Sequence, residues 1–125
     1  MTNAIGEIRN AACLFVIGSN TTTAHPIIAR QMKYAVRDGA TLILANPLET
    51  GLREHAAVFL QHLPGTDVAL LMGMMKFIVD NDLLNRDFIR KRCDNFDAFK
   101  ASLCNFPLDF VEKTTQVKKE TLKKA

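Results

Sequence analysis

Paired metal-ligand motifs and disulfide sets are missing from this sequence. Its three cysteines, Cys13, Cys93 and Cys104, lie far apart, so neither a short ligand pair nor an even-numbered framework can be drawn. That argues against a disulfide-stapled secreted scaffold or a zinc ribbon and fits a reducing, cytoplasmic compartment. Cys13 lies within an apolar run and reads as a core residue. No basic stretch followed by an apolar one opens the chain, so no secretory signal is read. The longest apolar run, Val68 to Met75, is well short of the roughly 20 residues a membrane helix needs. Charge of one sign is scarce too. Sixteen Lys and Arg against 13 Asp and Glu leave +3, too little to argue for nucleic acid. The lysines near the C-terminus (Lys113, Lys118, Lys119, Lys123, Lys124) read as a solvated helix face. No serine or cysteine has a base partner close by in sequence, so hydrolase chemistry has no support and no catalytic residue is assigned. His55 and His62 have no carboxylate or cysteine at metal-ligand spacing and read as surface residues, and no metal site is assigned.

What is present is the composition of an ordinary globular domain: 125 residues, 48% apolar and 23% charged, enough for one real core. Ile5 to Asn10 can form a short opening helix. Cys13-Leu14-Phe15-Val16-Ile17, apolar on both faces, reads as a central parallel strand covered on both sides. A polar stretch from Gly18 to His25 follows, and Pro26 suits the first turn of a helix. Ile28, Met32 and Ala35 recur at helical spacing, and Gly39 is a natural stop. Thr41 to Ala45 is a second buried strand, ended by Asn46-Pro47. Two parallel strands joined by a right-handed helical crossover result. Glu49 to Ala56 can make a short helix, and Val58-Phe59-Leu60 a third strand. After the Leu63-Pro64-Gly65 turn, Thr66 is placed to cap a helix reaching about Val79, with Asp67 in its first turn. That helix is apolar almost all round, as buried helices are, with Met72, Met74 and Met75 as core filling. Beyond Asp82 the pattern is purely helical, with Asn85 and Asp94 or Asn95 as caps, Pro107 opening a short helix, and a last helix within Thr115 to Ala125. The predicted fold is α/β: a three-layer, Rossmann-like parallel sheet of about three strands with a helical C-terminal part. The α/β unit is residues 1–82 and the helical extension residues 83–125, within one domain.

Three loops, Gly18 to Pro26, Asn46 to Thr50 and Pro64 to Asp67, each follow a proposed strand. In an open parallel sheet these carboxyl ends line one rim, where ligands bind. The first loop runs into a helix N-terminus, whose N–H groups suit a phosphate, and Ser19, Thr21, Thr22 and Thr23 add hydroxyl donors. Only Gly18 remains of a three-glycine dinucleotide fingerprint, and Asn46 stands where a carboxylate commonly grips a ribose, so plain NAD binding is weakly supported. The bland alternative is that the threonines are turn and cap residues, and that His25 packs locally.

At this point the residues resemble a known family. Met1-Thr2-Asn3, Val16-Ile17-Gly18-Ser19-Asn20-Thr21-Thr22 with Ala24-His25-Pro26, Asn46-Pro47 with Thr50, and Pro64-Gly65-Thr66-Asp67-Val68-Ala69-Leu70-Leu71 with Gly73-Met74-Met75 are similar to a segment of the catalytic α subunit of formate dehydrogenase. The wider group is the molybdopterin oxidoreductases that carry a molybdenum or tungsten bis(molybdopterin guanine dinucleotide) cofactor. The resemblance implies a partial domain that holds one guanine dinucleotide arm. Gly18, Ser19, Asn20, Thr23 and His25 would lie along its phosphate and nucleotide region, Asn46, Pro47 and Thr50 would form the second contact, and Gly65, Thr66 and Asp67 the third. It implies as partners the rest of the α subunit, where a [4Fe–4S] centre, the metal-ligating residue and the catalytic histidine and arginine reside, and iron–sulfur electron-transfer subunits. Nucleic acid and membrane are not implied.

The departures from that pattern are specific. The family usually has an acidic residue at Thr23, and Asp-Pro-Arg where this chain has Asn46-Pro47-Leu48. Loss of the arginine removes a charge-assisted contact to phosphate of about 1.5–3 kcal/mol. The chain is expected to be an expressed fragment, a split subunit or the product of a truncated gene, with an open sheet edge that invites self-association. Two other readings stay open: an interaction or regulatory protein that kept the fold and lost the cofactor, and a small binder of another nucleotide.

Overall fold

The computed structural model describes residues 4–125; Met1-Thr2-Asn3, part of the resemblance above, lie outside them. The chain divides into two compact units, the first ending at Gln61 and the second spanning His62–Lys124.

The first unit is built on a parallel sheet of β1 (Cys13–Ile17), β2 (Thr41–Ala45) and β3 (Val58–Leu60), in the order β1-β2-β3. Cys13 pairs with Thr41 and Ile17 with Ala45 across the first ladder, and Ile43 pairs with Val58 across the second. All three strands have the bounds their apolar runs predict. The place of β1 differs from the central one its apolar run predicts. β2 is the middle strand and is buried from Leu42 to Ala45, whereas among the described residues β1 has a ladder partner on one side only. As an edge strand β1 alternates: Val16 is 7% exposed and Phe15 40%. Cys13 is exposed as well, not a core residue, because it opens the edge strand on the side opposite Leu14 and Val16.

Between β1 and β2 run a one-turn helix α1 (Thr21–Ala24) and the crossover helix α2 (Pro26–Arg37). Pro26 is the first residue of α2, where its missing N–H costs nothing. The helix ends in a Schellman closure: Gly39 N–H donates to Val36 O (3.0 Å) and Ala40 N–H to Ala35 O (2.9 Å). Gly39 adopts φ +109°, which a Cβ would oppose. Met32 and Val36 of α2 pack against a cluster of Val16, Leu42, Leu44 and Leu52, as do Leu14 and Phe59 of the sheet. Leu52 precedes the single 3₁₀ turn Arg53–His55, which is all that forms of the expected Glu49–Ala56 helix. The opening segment Ile5–Asn10 is likewise a 3₁₀ helix. It is clasped to α2 by Arg9, which bonds Asp38 (Nε to Oδ2, 3.1 Å) and lies 5.0 Å from the Tyr34 ring centroid. Arg37 lies over the same ring at 4.9 Å. The two guanidiniums hold the Asp38 carboxyl below its ordinary value, Arg9's hydrogen bond being the main cause.

The second unit is helical: α3 (Asp67–Asp80), α4 (Arg86–Arg92), α5 (Phe96–Ser102), α6 (Leu108–Thr115) and α7 (Lys119–Lys124). Asn85 caps α4, its side-chain oxygen accepting from Phe88 N–H at 2.9 Å. Asn95 precedes α5 in a left-handed conformation (φ +56°) and makes no side-chain cap. Helix α3 is not enclosed as its composition suggests. Ala69, Leu70 and Gly73 are buried, while Val68 is 67% and Ile78 38% exposed. Its buried stripe packs on α6 so closely that a Cβ on Gly73 would stand 2.7 Å from both Val111 methyls. Thr115, at the end of α6, is fully buried. Its hydroxyl donates to Val111 O (2.8 Å) and accepts from Val117 N–H (3.1 Å), while its carbonyl accepts from Leu63 N–H (3.1 Å).

Candidate functional site

In the first unit, two of the three predicted loops meet at the carboxyl end of the sheet, and one side chain joins them. Gly18 leaves β1 at φ +60°, with open space where a Cβ would be, and its N–H extends the ladder to Ala45 O at 2.9 Å. Asn46 follows β2 directly and is 8% exposed. Its amide nitrogen donates to Ser19 O (3.2 Å), reaching into the first loop, and its amide oxygen accepts from Leu48 N–H (3.1 Å), closing its own turn. Each half of the amide therefore has a separate task, and an ionised carboxylate in its place could do only one of them. On the far side, Gln61 donates to Pro47 O at 3.1 Å.

The first loop is ordered from within. Ser19 and Thr21 hydroxyls lie 3.1 Å apart, and Thr22 Oγ1 donates to Asn20 Oδ1 at 3.0 Å. Thr21 is 3% exposed. Thr23 and His25 have exposed side chains; their N–H groups close the α1 turn on Asn20 O (3.1 Å) and Thr21 O (2.9 Å). Gly51, just after Thr50, lies against the first loop: a Cβ there would be 2.9 Å from Thr22 Oγ1. Thr50 Oγ1 is buried and has no hydrogen-bond partner. A hydroxyl in that state costs free energy until a ligand or water bonds to it. Beside the loop, Thr22, Pro26, Ala29, Arg30 and Lys33 line a shallow cavity of about 240 Å³. Sequence reasoning missed Arg30 and Lys33; their signal is the recurrence of basic residues about one and two turns into the helix that follows the hydroxyl-rich loop.

The third loop belongs to the second unit. Gly65 turns at φ +79°, again with open space at its Cβ position. Thr66 stands at the N-cap of α3, but its hydroxyl donates back to Leu63 O at 2.7 Å and does not cap. Asp67 opens α3 with a side chain 45% exposed, and one carboxylate oxygen lies 3.0 Å from His62 Nε2. His62 is 2% exposed and so is not the surface residue its isolation in sequence suggests. The Leu63-Pro64-Gly65 turn folds the chain back and turns the imidazole inward against the first residue of α3. A histidine five residues before an aspartate across a Pro-Gly turn is the signal that was available. His55 is half-buried, with Glu54 Oε1 3.3 Å from its Nε2. Among the described residues no group of His, Cys, Asp and Glu could hold a metal ion, and no helix is long and apolar enough to cross a membrane.

Residues 1–91 match the family model for molybdopterin oxidoreductases. The chain belongs to the molybdopterin oxidoreductase family. It is 35% identical over 122 residues to the α subunit of the F420-dependent formate dehydrogenase of Methanocaldococcus jannaschii, a match covering 98% of this chain and 18% of that protein. It is equally similar, 35% over 125 residues, to the α subunit of F420-dependent formate dehydrogenase 1 of Methanococcus maripaludis, again covering 18% of the relative. A putative formate dehydrogenase of Staphylococcus haemolyticus is 35% identical over 122 residues, of which this chain spans 12%. Among solved structures, acetylene hydratase from Pelobacter acetylenicus superposes with a TM-score of 0.84 at 26% identity, over 96% of this chain and 18% of that one. The chain thus spans less than a fifth of the length of these relatives. The likeness to the formate dehydrogenases runs over nearly all its residues, helical second unit included.

Proposed function

We propose that this chain forms part of the cradle for a molybdopterin guanine dinucleotide in a formate dehydrogenase-like oxidoreductase. The observation that carries the proposal is the Asn46 amide, which ties the Gly18–His25 loop to the Asn46–Thr50 loop at the sheet's carboxyl end. The donor set suits a diphosphate: the N–H groups of Thr21 and Thr22, which open α1 ahead of those that close on Asn20 O, and the hydroxyls of Ser19 and Thr23. The unpartnered Thr50 hydroxyl adds a buried donor of the kind a ligand oxygen satisfies. Arg30 and Lys33 supply positive charge beside the loop where Leu48 supplies none. Taken by itself, the second unit offers the half-exposed Asp67 carboxylate at the start of α3, after Gly65 and Thr66.

When bound, such a cofactor carries molybdenum or tungsten and supplies the redox chemistry; the residues of this chain bind and orient it. The metal ligand, the [4Fe–4S] centre and the proton-handling groups are then contributed by the rest of an α subunit. Formate would be oxidised to carbon dioxide there, with electrons leaving through iron–sulfur partners. The test uses GDP and ADP as probes of the dinucleotide arm, by thermal shift and calorimetry. Selective stabilisation by GDP is expected, since a ligand at 100 times its Kd raises stability by about 2.7 kcal/mol. Preference for ADP would point instead to another nucleotide.

A second reading has its own observation. Leu48 is 74% exposed at the loop position where an arginine is expected, and both ends of the Asn46 amide are engaged within the protein. A family member that kept the fold as a protein-binding module would look this way. It is favoured if neither nucleotide shifts the melting temperature and a protein partner binds through the Leu48 loop.

A further inference from the structure

We infer that a cavity in the second unit binds a small zwitterionic disulfide of the amino-acid class and captures half of it on Cys104 as a mixed disulfide. The site stands apart from the cradle proposed above and does not depend on it. The cavity holds about 320 Å³. Its lining includes Lys76 and Asp80 of α3, Asp97 and Lys100 of α5, and Leu103 and Cys104 of the 3₁₀ turn Leu103–Asn105 that follows α5. All of these belong to one compact unit. Small-molecule sites span roughly 300–1,000 Å³, and this cavity lies at the lower end of that range. Its charges select the ligand. Lys76 Nζ is bonded to Asp80 Oδ2 at 2.9 Å. Among the described residues, the Asp97 and Lys100 side chains make no ion pair or hydrogen bond, although they lie about one helical turn apart. A free carboxylate and a free ammonium thus border the same space. An amino-acid head group carries the complementary pair on one carbon: its ammonium donates to Asp97, and its carboxylate accepts from Lys100. A phosphate or sulfate would face two aspartates there, and a simple cation two lysines.

Leu103 is 2% exposed and gives the cavity an apolar wall for a short methylene stem. The Cys104 thiol is free and exposed. Its thiolate form attacks one sulfur of the bound disulfide. The ligand's S–S bond breaks, and a new S–S bond joins Cys104 to one half. The other half leaves with the electron pair as a thiolate and takes a proton from water; the proton of Cys104 has passed to solvent. The incoming disulfide is the oxidant, so Cys104 is oxidised as the departing half is reduced, and a free thiol reverses the step. Exposure alone does not single out Cys104, because Cys13 and Cys93 are free and exposed as well. The cavity does, since neither of those two borders it.

The experiment treats the reduced full chain with cystine or with neutral bis(2-hydroxyethyl) disulfide and follows each cysteine by peptide mass spectrometry. The readout is the rate at Cys104 divided by the rate at Cys93, which cancels the intrinsic reactivity of each reagent. Cystine should give a ratio about ten-fold above that of the neutral reagent, two exposed charge contacts contributing about three-fold each. Lys100→Gln and Asp97→Asn should each lower the cystine ratio about three-fold and leave the neutral ratio unchanged, with melting temperature confirming the fold. Excess S-methylcysteine, which has the head group and no disulfide, should slow cystine at Cys104 and not at Cys93. Equal ratios for the two reagents overturn the inference. So does a raised cystine ratio that neither variant lowers, because the charges would then have no part in it. Should a variant fail to fold, the competition on the wild type decides, and an unslowed Cys104 refutes the site.

Discussion

Replacing Asn46 by aspartate would introduce the residue type that the resemblance leads one to expect there, and the structure says it should weaken this protein. Asn46 is 8% exposed and uses both halves of its amide: nitrogen to Ser19 O, oxygen from Leu48 N–H. In Asn46→Asp the ionised carboxylate keeps the Leu48 bond and loses the donor, so a carboxylate oxygen faces the Ser19 carbonyl where 3.2 Å now separates donor from acceptor. A buried acceptor left without its partner costs about 1–3 kcal/mol. A loss of about 2 kcal/mol moves the urea midpoint by roughly 1 M. The effect has a pH signature. Once protonated, the introduced carboxyl can donate to Ser19 O, so the folded state favours the protonated form and raises the pKa of this group above its unfolded value. Stability gained this way is present at low pH and is lost as pH rises through the raised folded-state pKa. Asn46→Asp should therefore be clearly weaker than wild type at pH 7 and approach it near pH 4. Asn46→Ala should show a loss of similar size with no such recovery. Urea titrations of the three proteins across pH 4 to 7 read all of this. A pH-independent gap for Asn46→Asp, or full stability at pH 7, would mean that the amide does not donate to Ser19, and the proposed link between the loops would fall.

Other expectations follow from packing and charge. Gly73→Ala should gain about 1 kcal/mol of helix propensity and lose about 1–3 kcal/mol to overlap with the Val111 methyls 2.7 Å from the new Cβ. The expected net is a loss of up to about 2 kcal/mol by chemical denaturation. In Gly73→Ala/Val111→Ala the overlap is gone, so the two changes should be less harmful together than their sum; strict additivity would show that α3 and α6 do not meet there. Asp38 is held below its ordinary pKa, chiefly by the Arg9 hydrogen bond. Its contribution is present above the unfolded value near 3.8 and declines as pH falls through the lower folded one. Asp38→Asn should remove that part of the acid sensitivity below pH 4, measured by thermal melts against pH.

Legibility of the fold tracked local punctuation. Three apolar runs closed by Gly18, by Asn46-Pro47 and by the Leu63-Pro64-Gly65 turn were enough to set the strands, and Pro26 and Gly39 set both ends of α2. Strand order was not legible, because five apolar residues in a row look alike in the middle of a sheet and at its edge. Exposed Cys13 is the result of that ambiguity. The all-round apolar character of α3 likewise could not say which of its residues this chain would cover. Of the candidate site, the loops were visible as hydroxyl and turn residues after strands. The cross-loop role of Asn46 was not, since it depends on which half of an amide faces a carbonyl 27 positions away. His62 escaped notice because its partner is found only once the turn has reversed the chain.

Thr115 has a consequence for how the protein is made. Its carbonyl receives the Leu63 N–H, and its hydroxyl joins Val111 to Val117. The turn ahead of Asp67 therefore gains its anchor only when a segment about fifty residues further on has left the ribosome. At roughly 10 residues per second that is a delay of about five seconds. During that interval the strand-end loops of the first unit can already be in place while the His62–Asp67 turn waits. A nascent chain halted before Thr115 would carry that turn unmoored, and ribosome-bound chains stalled on either side of this residue should differ in protease cleavage at Pro64-Gly65.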